Sequence, residues 1–248
     1  MTEPSPADRA SRVLADIAGE SRPRLPEDAL DPGIPVAATV VLLRDGGAGP
    51  EALLIERPDR GSFAGAWVFP GGKLEQTDRF ADDEPEEDAA RRAAVRETWE
   101  ETGLVLDADT LVTLSVWDPP PGLPLRIRTW FFVAPAPAGD LVLSADEAVA
   151  ADWVAPDVLL ARHTRGEVTL YPPTWVTLRG LAGAASVVEL IDTARTGGHR
   201  RFETVARRTA GGTTLLWPED AEYDGSSEGT ARHRLEVGEL PWRYTRED

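Results

Sequence analysis

Residues 96–106 read RETWEETGLVL. In a helix, Glu97, Glu100 and Glu101 stand at i, i+3 and i+4 and share one face. Like charges at that spacing destabilise an isolated helix by roughly 0.2–0.5 kcal/mol per pair. The face therefore points either into water or at a cation. Working backwards, DDEPEEDAARRAAV supplies the rest of the helix. Asp83 is read as the N-cap and Pro85 as a first-turn residue, while Glu86, Glu87 and Asp88 favour the positive end of the helix dipole. Those acids have a sufficient structural explanation and are assigned no chemistry. Gly103 fits the helix end. Val95 and Trp99, opposite the glutamates, are read as its buried side.

Further upstream lies WVFPGGKLE, residues 67–75. A Gly-Gly pair after a strand lets the backbone turn sharply and come close to a ligand. Its carbonyls, with carboxylates from the following helix, could coordinate a hard cation. Magnesium prefers an octahedron of oxygens, keeps several waters, and takes a few carboxylates plus substrate phosphates. Arg96 is placed to orient a carboxylate that binds metal or accepts a proton from water.

Composition narrows the function classes. The 248 residues are 42% hydrophobic and 28% charged, as expected of a globular protein. Cysteine is absent, which excludes thiol nucleophiles, thiolate metal sites and disulfides. His163, His199 and His233 lack metal-ligand spacing. The net charge of −17 argues against binding a nucleic-acid polymer and would repel a phosphorylated small molecule unless arginines or divalent cations reverse the local field. All 26 basic residues except Lys73 are arginine. There is no basic, apolar leader at the N-terminus and no stretch near the ~20 apolar residues of a spanning helix, so a soluble cytoplasmic protein with no membrane partner is expected.

Along the chain, residues 1–33 are polar and Pro-rich and are expected to form a flexible or loosely docked arm. Residues 35–46 and 51–58 read as an antiparallel strand pair. Strands are expected over 111–117 and 125–135, a strand turning into a helix over 151–163, and helices over 172–183 and 186–195. Residues 198–248 mix Gly turns with short strand-like runs. This pattern predicts an α/β or α+β sandwich, with one domain over 34–183 and an extension over 184–248 packed on it. Capping the site, mediating a homodimer and simple packing are the three roles open to that extension.

Gly71-Gly72 followed by Arg96-Glu97-x-x-Glu100-Glu101-x-Gly103-Leu104 resembles the signature box of the Nudix family. The resemblance implies an α/β/α sandwich around a mixed β-sheet and hydrolysis of a diphosphate linked to another group, X, with Mg²⁺ or Mn²⁺. It implies metal ligation by Glu100 and Glu101, a carbonyl from Gly72, and a metal-binding or base role for Glu97 beside Arg96. Two features depart from the pattern. The family places the Arg fourteen positions after the second Gly, whereas here 96 − 72 = 24, an insertion of ten. The box's first glutamate is consequently open between Asp88, Glu75 and Asp78. Thr98 also stands where an aliphatic residue is usual.

The insertion resembles the branch of peroxisomal acyl-CoA diphosphatases and their bacterial relatives, which carry an extended loop here and R-E-T-[aromatic]-E-E near its end. RIRTWFFVA (126–134), Glu147 six residues before Trp153, and PPTWVTL (172–178) extend the likeness. By the resemblance, Glu147 is a fourth metal ligand. Of a coenzyme-A signature, Leu53-Leu54, Gly65 and Phe69–Gly72 fit, while Arg60 is one residue too close to Gly65. Arg57, Arg126 and Arg128 are candidates for gripping phosphate, as arginine does bidentately. Trp67 is a candidate for stacking on a base, against a core role. The expected activity is a pyrophosphohydrolase of a small-molecule diphosphate, modestly favouring CoA or acyl-CoA. ADP-ribose, NADH, nucleotide sugars and oxidised nucleotides are rival substrates, and a non-catalytic ligand-binding module is the rival from another class.

Overall fold

The computed structural model describes residues 6–31, 33–61, 63–124, 126–144, 146–225 and 229–247. Its centre is a mixed eight-stranded sheet. β1 (Val36–Gly46) pairs antiparallel with β2 (Gly49–Glu56) through the Gly46–Gly49 turn, as the sequence predicts. β3 (Trp67–Val68) pairs with β2, and β4 (Gly71–Lys73) returns to pair with the start of β1. On the other side, β1 runs parallel to β6 (Arg128–Pro135), which pairs antiparallel with β5 (Val112–Asp118). β7 (Ala150–Val154) lies antiparallel to β2.

β1 reads as a continuous apolar run because both of its faces are covered. Val40 and Leu42 face the first helix layer, while Val41 and Leu43 face the second, and all four are buried. The first layer is α2 (Glu86–Thr102), which carries the three glutamates. It meets the sheet through Ala89, Ala90, Ala93 and Ala94, each fully buried. Such small residues let the helix backbone come close to the strands. The second layer holds α3 (Pro156–Thr164), α4 (Pro172–Leu181) and α5 (Val187–Gly197), with Leu159, Leu178 and Ile191 in the core.

Three expectations change. Pro85, not Asp83, holds the N-cap position of α2, and it makes no side-chain cap. Trp99 is 57% exposed, whereas Val95, partly buried, packs on the core beside Ala90, Ala93 and Ala94. In place of a loose arm, α1 (Pro6–Glu20) docks Ala10 and Leu14 in buried positions; residues 1–5 lie outside the described residues.

The C-terminal segment has two parts. β8 (Arg200–Glu203) adds a parallel strand beside β5, stacking Phe202 on Trp117 with ring centroids 3.9 Å apart. β9 (Val205–Thr209), β10 (Gly212–Leu216), β11 (Arg232–Glu236) and β12 (Arg243–Glu247) form a separate antiparallel sheet. α1 packs on β9 and β10, with Leu14 and Ala15 carbonyls accepting from Thr213 and Arg208. Among the described residues no helix is long and apolar enough to cross a membrane.

Candidate active site

β4 and α2 meet at the end of the sheet, with β4 held against β1 in the register Thr39–Gly71, Ala38–Gly72 and Ala37–Lys73. Neither glycine leaves room for a side chain. A Cβ on Gly71 would stand 2.3 Å from the Ala38 carbonyl oxygen, and one on Gly72 would stand 2.4 Å from the Glu97 carboxylate. The Gly71 N–H donates to Glu101 Oε2 at 2.7 Å. Gly103, at φ 72°, ends α2 in the left-handed conformation, and its N–H donates to the Trp99 carbonyl.

The chain then returns from β6 through a loop pinned to the helix end. Val142 N–H donates to the Thr102 carbonyl at 2.8 Å and Ser144 N–H to the Glu101 carbonyl at 3.2 Å. Val149 N–H donates to the Glu56 carbonyl at 2.9 Å. This path carries Glu147 to the other two carboxylates. Glu97, Glu101 and Glu147 each offer an oxygen, and these lie within 4.8 Å of one another. Glu147 Oε2 is buried without a hydrogen-bond partner.

Burial raises the Glu101 carboxyl to about 8, against the opposing pull of the Gly71 N–H and the Arg57 guanidinium. Burial likewise raises Glu97, partly offset by its hydrogen bond from Arg96. Three carboxylates crowded and desolvated in this way favour either protons or a cation. The orphaned Glu147 oxygen and the hard all-oxygen donor set fit a divalent ion such as magnesium.

Arg96 organises one side of the cluster. Its Nη1 donates to Glu97 at 2.9 Å and to Glu100 at 3.0 Å, and its Nη2 donates to the Lys73 carbonyl at 3.0 Å. Its Nε and Nη2 hold Asp78, at 3.1 and 2.8 Å. Burial disfavours the Asp78 charge, but the Arg96 hydrogen bond and the Glu75 N–H outweigh it and keep the carboxyl below its ordinary value. Of the three acids left open for the first position of the box, Asp78 is thus the one on Arg96. Asp88 is exposed in the first turn of α2, and Glu75 is exposed beside Asp78. Counting back from Arg96 lands on Asp88, whereas Asp78 stands eighteen residues before Arg96 and is brought to it by the 3₁₀ turn Gln76–Asp78. Thr98 fills its buried site by donating its hydroxyl to the Ala94 carbonyl at 2.8 Å.

The other candidates divide. Glu100 is exposed and bound to Arg96, outside the three-carboxylate group. Arg57 stands at the site, its Nη1 3.7 Å from Glu101 and its Nε buried without a partner. Arg128 is buried at the start of the interior strand β6, ion-paired with Asp118 at 2.7 Å and Glu86 at 3.0 Å. Arg126 pairs with Asp31 at 3.1 Å. Trp67 is 8% exposed in the main core beneath the Arg162 guanidinium, so its ring is a packing element rather than a surface platform. Trp99, read as buried from its position opposite the glutamates, instead stands at the surface beside Glu100 and Glu147.

Comparison with known proteins bears on the family and the fold. The family model described as the NUDIX domain matches residues 33–172. A NUDIX hydrolase from Alicyclobacillus acidocaldarius is similar at 25% identity and a TM-score of 0.57, over 64% of this chain and 96% of that one. A MutT NUDIX hydrolase from Burkholderia pseudomallei matches at 28% identity and a TM-score of 0.44, over 58% and 95%. The NUDIX domain of Shewanella oneidensis NrtR, solved with ADP ribose, matches at 18% identity and a TM-score of 0.44, over 79% and 99%. No curated protein matches the chain.

Proposed function

The chain belongs to the Nudix family and is a hydrolase of pyrophosphate anhydride bonds, and from that premise we propose a Mg²⁺- or Mn²⁺-dependent pyrophosphohydrolase that cleaves nucleoside diphosphates linked to a group X, with CoA or acyl-CoA favoured. The observation that carries the metal dependence is the meeting of Glu97, Glu101 and Glu147 with a buried, partnerless oxygen on Glu147. An acceptor left in that state costs about 1–3 kcal/mol, and a cation meets it. Glu97, Glu101 and Glu147 would hold the ion, with the Gly72 backbone close against Glu97. A divalent cation bound there supplies charge neutralisation on the diphosphate and a more acidic water.

The chain's own groups do the rest. Arg57 offers a guanidinium to the anionic substrate beside Glu101. Arg96, fixed by Asp78, holds Glu97 in place. Glu97 takes the proton of the attacking water, a contribution typically worth ~10²–10⁴ in rate. Water oxygen bonds to phosphorus, the bridging P–O bond breaks, and the phosphate-bearing X departs. The CoA preference rests on the extended loop, the aromatic residue within the helix motif and the partial CoA signature around Leu53–Gly72.

The test is mass spectrometry of products after incubation with Mg²⁺ or Mn²⁺ and a panel of CoA, an acyl-CoA, ADP-ribose, NADH, a nucleotide sugar and 8-oxo-dGTP. Release of 3′,5′-ADP and a phosphopantetheine from the CoAs, absent in Glu101→Gln, is the expected result. Turnover of another member alone would remove the CoA preference and keep the reaction. Metal binding with no turnover of any member would favour a ligand-binding module.

A further inference from the structure

Against the outer side of α2, next to the glutamates, lies an open cleft of about 480 Å³. Trp99, Val142 and Leu143 give it apolar surface, and Glu100, Ser144 and Glu147 complete most of its lining. Trp99 is 57% and Val142 69% exposed, so two large apolar side chains face solvent within one depression. Their placement is fixed by the backbone. The hydrogen bonds from Val142 and Ser144 to the end of α2 hold the loop there. Gly103 admits it, since a Cβ at that position would stand 3.0 Å from Val142 Cβ. The same loop delivers Glu147, which belongs both to the cleft and to the carboxylate cluster. A substrate whose diphosphate lies at the cluster thus reaches the cleft without a gap.

We propose that this cleft receives the group X of the substrate, and that X presents an uncharged, apolar or aromatic face to Trp99. The inference rests on the pyrophosphohydrolase reading and adds a specificity residue to it. Charge chooses the chemistry: Glu100, the ionisable residue of the cleft lining that stands outside the carboxylate cluster, is acidic and exposed. A second phosphate or a carboxylate on X is disfavoured there, while a flat ring or an acyl arm can lie on the indole face. Trp99 binds X and takes no part in bond breaking.

The experiment compares wild type with Trp99→Ala, a surface truncation, on NADH, an acyl-CoA and ADP-ribose, whose X groups are a flat ring, an apolar chain and a bare sugar. Steady-state kinetics are paired with calorimetric binding of the same compounds. The ratio of kcat/KM for NADH or acyl-CoA over that for ADP-ribose should fall about threefold to tenfold, carried by KM. Trp99→Phe should restore the ratio if the ring is the natural partner, and Trp99→Leu if the chain is. An unchanged ratio, or a fall carried by kcat alone, overturns the assignment. If wild type turns over nothing, the hydrolase reading fails separately. A calorimetric affinity loss in Trp99→Ala for the apolar X compounds would still support the cleft, and equal affinities or no binding would overturn it.

Discussion

Glu101 is 2% exposed, with one oxygen on the Gly71 N–H and the other toward Arg57. Its carboxyl is raised to about 8, chiefly by burial, so the folded chain binds this proton more tightly than the unfolded chain does. The stabilisation from that proton is therefore full below the unfolded carboxyl value of about 4.3 and is lost as pH rises towards about 8. A divalent cation competes for the same oxygens. In thermal melts, the rise in Tm caused by Mg²⁺ should be larger at about pH 9 than at about pH 6. Equal shifts would count against Glu101 as a ligand. Glu101→Gln keeps an acceptor for Gly71 while removing the buried charge. At about pH 8 without metal it should melt no lower than wild type, should lose the Mg²⁺ shift, and should lose ~10²-fold or more in kcat.

The i, i+4 spacing of Glu97 and Glu101 lets their carboxylates meet on one face of α2, whereas Glu100, expected beside them, stays outside the group on Arg96. The packing face of α2 was only partly legible: Val95, read as buried from its place opposite the glutamates, packs on the core with Ala90, Ala93 and Ala94, while Trp99, read in the same way, is exposed. Close approach of helix to sheet is what brings Glu97 against Gly72. Ala93→Leu should force the two apart, costing about 1–3 kcal/mol in denaturant unfolding. It should also lower kcat, since Glu97 and Glu101 shift relative to β4. Unfolding stability that drops without any effect on kcat would separate the helix seat from the site. Asp78 shows the other limit of sequence reading. An inserted loop hides a contact in space, and here Arg92 also secures that loop, donating to the Asp78 carbonyl at 2.7 Å and ion-pairing with Glu84. Asp78→Asn should weaken the hold on Arg96 and reduce kcat more than substrate affinity.

At the scale of the whole molecule, most strands and helices of 35–195 other than α2 follow their apolar runs, because each has a buried face to declare it. The terminal segments were harder to read, because the partners of α1 lie some two hundred residues away. His163 belongs to this distant packing. It is 4% exposed, lies edge-on to Trp242 at 4.5 Å, and is lowered by burial to about 4. Its contribution to stability is present above pH ~6.5 and is lost as pH falls towards about 4. Chemical denaturation between those values should show a loss approaching about 3 kcal/mol, absent in His163→Phe.

The hydrogen bond between Thr213 and the Leu14 carbonyl joins a helix to a strand some two hundred residues later in the chain. On a ribosome, α1 emerges well before β10 and must wait, its Leu14 side uncovered, until β10 has been synthesised. The strand β8 keeps β5 waiting in the same way. About two hundred residues must therefore be translated after Leu14 before α1 finds its neighbour. A nascent chain stalled short of residue 216 would expose the apolar side of α1 to chaperones, and it would be handled as unfinished even if its central domain had already closed.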